Sequence, residues 1–120
     1  MNTTEKPASF YKVTGILRKD AYDFQAVPWK LLLETRRYYE IKSETGAVKR
    51  IYKEKLNTAV IETKQYAGGV LACSAFCTGD CIDRLQEDIL LELQKCVRAY
   101  MDDLRSNQLA LDRQLSRSSS

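Results

Sequence analysis

The feature that most constrains the fold is a long run of helical periodicity in the last third of the sequence. From residue 82 onward, apolar side chains recur every three or four positions, the spacing of one face of an α-helix. The stripe comprises Ile82, Leu85, Ile89, Leu93, Cys96, Tyr100 and Leu104, broadened by Leu90, Val97 and Met101. Asp80 suits the N-cap, and Asp83 adds a negative charge in the first turn, where the helix dipole favours it. The sequence therefore predicts an amphipathic helix from residue 81 to about residue 113.

Such a helix is long for a chain of 120 residues. It would span about 50 Å at 1.5 Å per residue, whereas a compact domain of ~100 residues has a radius of gyration of about 13 Å. We therefore expect its last turns to project, to fray or to pack on another chain. The predicted organisation is a flexible N-terminus at residues 1–8 and a single α+β domain at residues 9–104. Residues 105–120 are predicted to be a projecting helix end and a disordered tail.

The sequence of the first part of the domain predicts one strand, one loop and one short helix. β-forming residues dominate Phe10–Leu17, which we interpret as a strand. Asp20–Val27 is predicted to be a loop. Pro28 then suits the first position of a helix, because its missing N–H costs nothing there. The segment from Trp29 to about Arg36 would form this short helix, with a core-facing side made of Trp29, Leu32 and Leu33.

The middle of the chain allows two interpretations. Turn signals around Gly46, Asn57 and Gly68 lie about 11 residues apart, which favours an antiparallel meander. Its strands would be Arg37–Ser43, Ala47–Leu56, Ala59–Tyr66 and Val70–Cys77. The alternative is a helical stripe that makes residues 47–66 a helix within a mainly α bundle. We favour α+β: a small antiparallel β-meander packed by the short helix and the long C-terminal amphipathic helix.

The composition is that of an ordinary globular protein, with 44% hydrophobic and 29% charged residues. No stretch approaches the run of about 18 apolar residues that a transmembrane helix needs. The first residues lack the apolar segment of a secretory signal. We therefore expect a cytoplasmic protein without a membrane partner.

Four cysteines are present, Cys73, Cys77, Cys81 and Cys96, and there is no histidine. Two disulfides remain open as an alternative, but a domain with a real core favours free thiols. A zinc site would need a fourth ligand close to the other three, and Cys96 lies about 22 Å along the helix from Cys81. We expect Cys73 and Cys77 to share one side of a strand beneath the helix, with no metal and no other cofactor.

Enzymatic chemistry finds little support in the sequence. Without histidine, the most versatile acid–base group near neutral pH is absent. Gly68-Gly69 is not followed by the residues of a phosphate-binding loop. The carboxylate pairs Glu87-Asp88 and Asp102-Asp103 fall on the helix side away from the apolar stripe. We expect a protein that is not an enzyme and has no catalytic residues.

Charge is unevenly distributed, with an excess of four positive charges over residues 30–64 and of four negative charges over residues 80–104. Cations neutralise phosphates and aromatic faces stack on bases, so a basic hairpin that carries tyrosines could bind RNA or single-stranded DNA. The residues of this alternative are Arg36, Arg37, Lys42, Lys49, Arg50, Tyr52, Lys53 and Lys55.

The preferred interpretation rests on the helix itself. An amphipathic helix too long for its domain is a natural surface for a protein partner or for a second copy of the chain. The anchors we expect are Leu93, Val97, Tyr100, Met101 and Leu104. The sequence thus predicts a small binding protein, an adaptor, inhibitor or accessory subunit, that self-associates.

Overall fold

The computed structural model describes residues 9–63, 66 and 68–118. Its elements are six strands and one long helix: β1 Phe10–Arg18, β2 Ala21–Glu34, β3 Tyr38–Lys42, β4 Val48–Tyr52, β5 Val60–Ile61, β6 Val70–Thr78 and α1 Ile82–Ser118. Two short 3-10 helices, Lys53–Lys55 and Gly79–Cys81, follow β4 and precede α1. No helix within the described part is long and apolar enough to cross a membrane.

The strands form one antiparallel sheet in the order β4-β3-β2-β1-β6-β5. β1 to β4 follow one another as a meander, and β6 then returns to the other side of β1, with β5 at the far edge. The α+β class is confirmed, and the mainly helical alternative is wrong. The described residues between 47 and 66 contain β4, β5 and a single 3-10 turn instead of a helix.

The predicted loop at Asp20–Val27 and the short helix after it are wrong, because the 14-residue strand β2, Ala21–Glu34, occupies most of both segments. Pro28 lies opposite Tyr11 of β1, in a part of β2 that β3 does not reach. Proline is tolerated in a sheet where its nitrogen faces an unpaired side. Trp29 packs in the core as expected of it, whereas its predicted companions Leu32 and Leu33 are exposed.

The remaining strands lie at the positions predicted for the meander, but their lengths differ from the prediction. The predicted strand at Ala47–Leu56 shortens to β4, and the one at Ala59–Tyr66 shortens to the two residues of β5, although Lys64 and Gln65 lie outside the described residues. Asn57 adopts a positive φ of 62° and turns the chain between them. Positive φ is tolerated by asparagine better than by most residues.

Both faces of the curled sheet carry apolar side chains. The face under α1 is lined by alternate residues of β1 and β6, among them Val13, Leu71, Cys73 and Cys77, which contact Leu85, Ile89 and Leu93 of the helix. The opposite face is concave. Its core contains Phe10, Ile41 and Ile51, with Trp29, Leu31, Tyr39, Leu56 and Phe76 packed against them.

α1 contains 37 residues and so extends for about 55 Å. Its first half packs on the sheet and its second half continues beyond it, which accounts for the longest molecular dimension of 83 Å. The helix begins one residue later than predicted and ends at Ser118. Ser116 to Ser118, which we assigned to a disordered tail, are therefore helical, and the last two serines lie outside the described residues.

Candidate interaction surfaces

The second half of α1, residues 101–118, is exposed along its whole length. In the first half, Ile89 and Leu93 are buried against the sheet, and Tyr100 is the last half-buried residue. Tyr100 also stacks on Tyr66, with the ring centroids 4.7 Å apart. The sheet domain therefore ends at Tyr100, and we call residues 101–118 the projecting helix.

The row of side chains that faces the sheet becomes polar in the projecting helix. Residues seven apart lie nearly above one another on an α-helix, so a row can be followed from one half to the other. Leu93 and Tyr100 face the sheet, and the same row continues with Asn107 and Gln114. Packing on the sheet therefore explains apolar residues only as far as Tyr100.

A neighbouring row keeps apolar residues at four of its five positions to the end of the helix. Met101, Leu104, Gln108, Leu111 and Leu115 alternate in steps of three and four, the heptad spacing of a coiled coil. Leu104 is 64% exposed and Leu111 is 59% exposed. We call these five residues the heptad seam. Its single polar member, Gln108, occupies a position at which polar residues in coiled coils fix register.

The ends of the projecting helix carry opposite charges. Asp102 and Asp103 lie near its start, and Arg113 and Arg117 lie near its end. With Arg105 and Asp112 included, residues 101–109 carry a net charge of −1 and residues 110–118 a net charge of +1.

The five anchors predicted from the sequence divide between the core and the surface. Leu93 is buried in the core under the sheet, and Val97 and Tyr100 are partly buried against it. Met101 and Leu104 are exposed and belong to the heptad seam. Leu93 therefore stabilises the domain itself, and the available surface continues from Met101 towards Ser118.

The basic residues predicted for nucleic acid are spread along the β3–β4 hairpin and its flanks. Arg36 and Arg37 lie before β3, Lys42 ends β3, and Lys53 and Lys55 belong to the 3-10 helix after β4, with the others on β4: Lys49, Arg50 and Tyr52. Arg36, Arg37, Tyr52 and Lys53 line one open hollow of about 500 Å³ together with Glu54. The other four residues of the set, Lys42, Lys49, Arg50 and Lys55, do not line it.

Carboxylates of the same sheet neutralise two of these cations. Lys53 Nζ lies 2.6 Å from Glu34 Oε2, and Arg50 Nε lies 3.6 Å from Glu40 Oε2. The others form no ion pair within the described part of the chain: Arg36, Arg37, Lys42, Lys49 and Lys55. The hairpin is therefore less basic than its sequence suggests.

The aromatic rings of this region already have partners. The Arg50 guanidinium lies 4.8 Å from the Tyr38 ring centroid, and Lys53 Nζ lies 5.1 Å from that of Tyr39. Tyr52 packs against Tyr38 nearly perpendicularly, with centroids 5.7 Å apart. Stacking of a base on these rings would have to displace such contacts.

A further surface, which the sequence did not reveal, is an open hollow of about 360 Å³ between β4 and β6. We call it the seam cleft. It is lined by Arg50, Ile51, Tyr52, Lys55, Thr58, Val60, Ser74, Ala75 and Phe76. No local pattern could have predicted it, because it exists only where the curled sheet brings its fourth strand over its sixth.

The cysteines are free thiols in two different settings. Cys73 and Cys77 are buried beneath α1, as predicted from their spacing, and Cys81 and Cys96 are partly exposed. Burial raises the pKa of Cys73 and of Cys77 to about 11, so both stay protonated near neutral pH. Within the described part of the chain, no group of three or more potential ligands is arranged to hold a metal ion.

Comparison with known protein families, with curated proteins and with solved structures gives no match.

Proposed function

We propose that this chain is a non-enzymatic binding protein that forms a homodimer through the heptad seam of its projecting helix. The observation that carries the proposal is the change of rows at Tyr100. Beyond that residue the sheet-facing row turns polar, while the seam keeps Leu104 and Leu111 exposed and apolar in heptad spacing. A second helix of the same kind would bury such a seam.

The charges favour an antiparallel arrangement of the two helices. Antiparallel coiled coils pair the two types of core position with each other, which would set Leu104 against Leu115 of the second copy and Gln108 against its Leu111. In this register Arg105 and Asp112 flank the seam on the same side and approach each other across the dimer. In a parallel pair the acidic helix starts would lie side by side.

The length of the projecting helix also fits this arrangement. Its 18 residues extend about 27 Å beyond Tyr100. An antiparallel partner would place its last turn beside Met101 and its sheet domain at the far end, so the two domains would not collide. A parallel partner would bring both sheet domains to the same end.

Such a dimer would hold two copies of the sheet domain a fixed distance apart, as an adaptor or accessory subunit does. The four unbridged thiols are consistent with a reducing compartment such as the cytoplasm.

The test compares leucine-to-glutamate substitutions on two different sides of the projecting helix. Leu104→Glu/Leu111→Glu charges the seam, whereas Leu109→Glu alters a leucine that is 55% exposed on another side. Light scattering after size-exclusion chromatography should give about twice the 13.8 kDa chain mass for the native protein and for Leu109→Glu. The seam variant should elute as a monomer with unchanged circular dichroism. A native protein that is monomeric at high micromolar concentration would overturn the proposal.

A charge exchange tests the direction of the helices. Arg105→Glu should weaken an antiparallel dimer, because the new carboxylate would face Asp112 of the second copy. The double variant Arg105→Glu/Asp112→Arg should restore it. Without that rescue, the antiparallel register is wrong.

Nucleic-acid binding by the basic hairpin is the second candidate, supported by the five cations without an ion pair among the described residues. The same chromatography tests it when the 260/280 nm absorbance ratio is recorded at low and high salt. Retained nucleic acid that is lost at high salt, and lost in Lys49→Glu/Arg50→Glu/Lys53→Glu, would favour it.

A further inference from the structure

We propose that the seam cleft binds an extended acidic segment of a protein partner, which adds as a strand to the free edge of β4. Peptides that bind in this way use main-chain hydrogen bonds for affinity and alternate side chains for specificity. Three features of the cleft carry the proposal: its position along a strand edge, its apolar floor and its excess of positive charge.

The cleft follows two strand edges. It touches three consecutive residues of β4, Arg50 to Tyr52, and three of β6, Ser74 to Phe76. β4 is the last strand of the sheet and lines the hollow with three residues in a row, so the hollow lies beside its outer edge. β4 pairs with β3 on its other side, and its N–H and C=O groups on the cleft side lie at the edge of the sheet.

The edge of β6, in contrast, is already paired. Val60 of β5 pairs with Ser74. Asn57 donates its backbone N–H to the carbonyl oxygen of Phe76, and its side-chain oxygen accepts the N–H of Thr78. A segment in the cleft would therefore form its hydrogen bonds with β4.

The floor of the cleft is apolar. Ile51 belongs to the concave core, and Phe76 packs against that core. The exposed side chains of Tyr52 and Val60 add apolar surface from opposite edges. A bound strand could direct every second side chain onto this floor and the others towards solvent.

Four cations surround the floor. Arg50 and Lys55 line the cleft, and the ammonium groups of Lys12 and Lys49 lie 5.8 and 5.7 Å from the Phe76 ring centroid. Carboxylates pair with only two of them: Glu40 with Arg50, and Glu62 with Lys12 at 3.5 Å.

Lys49 and Lys55 have no ion pair within the described residues. Cationic residues on an edge strand normally discourage pairing with other strands. Here the same charges would select a strand that carries carboxylates.

The protein contains its own reporter for occupancy of the cleft. Trp29 is the single tryptophan, and its ring meets Phe76 edge-on with centroids 5.2 Å apart. A segment that covers Phe76 should change the fluorescence of Trp29. The probe is the blocked hexapeptide acetyl-(Glu-Val)3-amide, titrated at low salt.

We expect saturable binding whose affinity falls as salt is added. In Lys49→Glu/Lys55→Glu the affinity should be at least tenfold lower than in the native protein. The matched control is Lys30→Glu/Lys42→Glu, which makes the same charge change at a cross-strand pair away from the cleft and should bind within twofold of the native protein. Both pairs are exposed, so the variants should fold, as circular dichroism will verify.

Two further peptides separate strand addition from simple charge attraction. The peptide with N-methyl groups on alternate residues keeps its charge but cannot pair along one edge, and it should not bind. Replacement of glutamate by lysine should also abolish binding. Equal binding of the N-methylated peptide, no response from Trp29, or displacement of the peptide by oligouridylate at equal concentration would overturn the proposal.

Discussion

Gly15 of β1 lies so close beneath Ile89 of α1 that a Cβ atom on Gly15 would stand 2.5 Å from Ile89 Cγ2. The same Cβ would lie 2.7 Å from the hydroxyl oxygen of Tyr22 on β2. The missing side chain thus allows the helix to approach the sheet at its centre. In the sequence this glycine interrupts a run of β-forming residues, whereas in the fold it lies directly beneath Ile89 of the helix.

The first prediction follows from this contact. Gly15→Ala should lower the free energy of unfolding by about 1–3 kcal/mol, because the added methyl group forces Ile89 or the helix to move within a packed core. Gly79→Ala is the matched control, since its Cβ would meet only the edge of the Tyr11 ring at 3.3 Å. Urea unfolding measures both. Equal stability of the two variants would contradict the close approach.

The second prediction concerns the hydroxyl group of Tyr22. It is buried, and no hydrogen-bond partner is found for it among the described residues. Burial, and secondarily the Cys73 thiol, raise the pKa of Tyr22. Tyr22→Phe should raise the free energy of unfolding by about 1 kcal/mol, because an unpaired buried hydroxyl is destabilising. Tyr52→Phe, at an exposed ring, should change nothing. Loss of stability in Tyr22→Phe would mean that the hydroxyl has a partner such as a buried water.

The third prediction is a loss of stability in alkaline solution. The pKa of Cys73 and of Cys77 is raised from 9.0 to about 11 in the folded protein. Between these values the unfolded chain has lost thiol protons that the folded chain keeps, so stability must fall as pH rises from 9 to 11. Cys73→Ala/Cys77→Ala should be less stable at pH 8 because it leaves a cavity. Its unfolding free energy should nevertheless fall less steeply than that of the native protein, and parallel curves would refute the assignment.

The fourth prediction separates the sheet domain from the projecting helix. A chain that ends at Asp103 retains every residue of the core beneath α1, while residues 104–118 are exposed. At low protein concentration its unfolding free energy should equal that of the full chain to within about 0.5 kcal/mol, the range for changes away from packed groups. Only the full chain should become more stable as its concentration rises, because dimer formation is linked to folding. An unfolded truncated chain would show that the projecting helix supports the core.

Local patterns in the sequence predicted the elements whose environment is uniform along their length. α1 begins at Ile82, one residue from the predicted start, because its apolar stripe acts within a few turns. Asp80, the predicted N-cap, lies instead within the 3-10 helix Gly79–Cys81, where its carboxylate accepts a hydrogen bond from the Thr78 hydroxyl. β6 and β3 also lie within a residue or two of their predicted ends. The buried positions of Cys73 and Cys77 followed from a spacing of four along a strand.

β2 was missed because its environment changes along its length. Its first half pairs with β1, its second half pairs with β3, and the register shifts between Leu31 and Leu33. Trp29 and Leu31 face the concave core while Leu32 and Leu33 remain exposed, so a run of three leucines shows no clean alternation. Pro28 then suggested a helix start, although here it lies in a strand with one partner.

The heptad seam and the seam cleft also differ in whether a local sequence pattern can predict them. The exposed leucines of the projecting helix lie close in sequence, and two of the five heptad-seam residues, Met101 and Leu104, were among the predicted anchors. The seam cleft joins β4 to β6 through the curl of the whole sheet. Its residues are close only after folding, so no window of sequence contains them.

The pairing of the first strand with the last has a consequence for synthesis on the ribosome. β1 to β4 can pair with one another as they emerge, but β1 gains its second neighbour only when β6 appears. Until then Val13 faces water, because Leu85 and Ile89, which cover it, are made later still. A nascent chain stopped before β6 would expose both an apolar face and the open edge of β1, two features that promote aggregation. Synthesis of α1 is thus the step that removes the last large apolar face of the sheet from water.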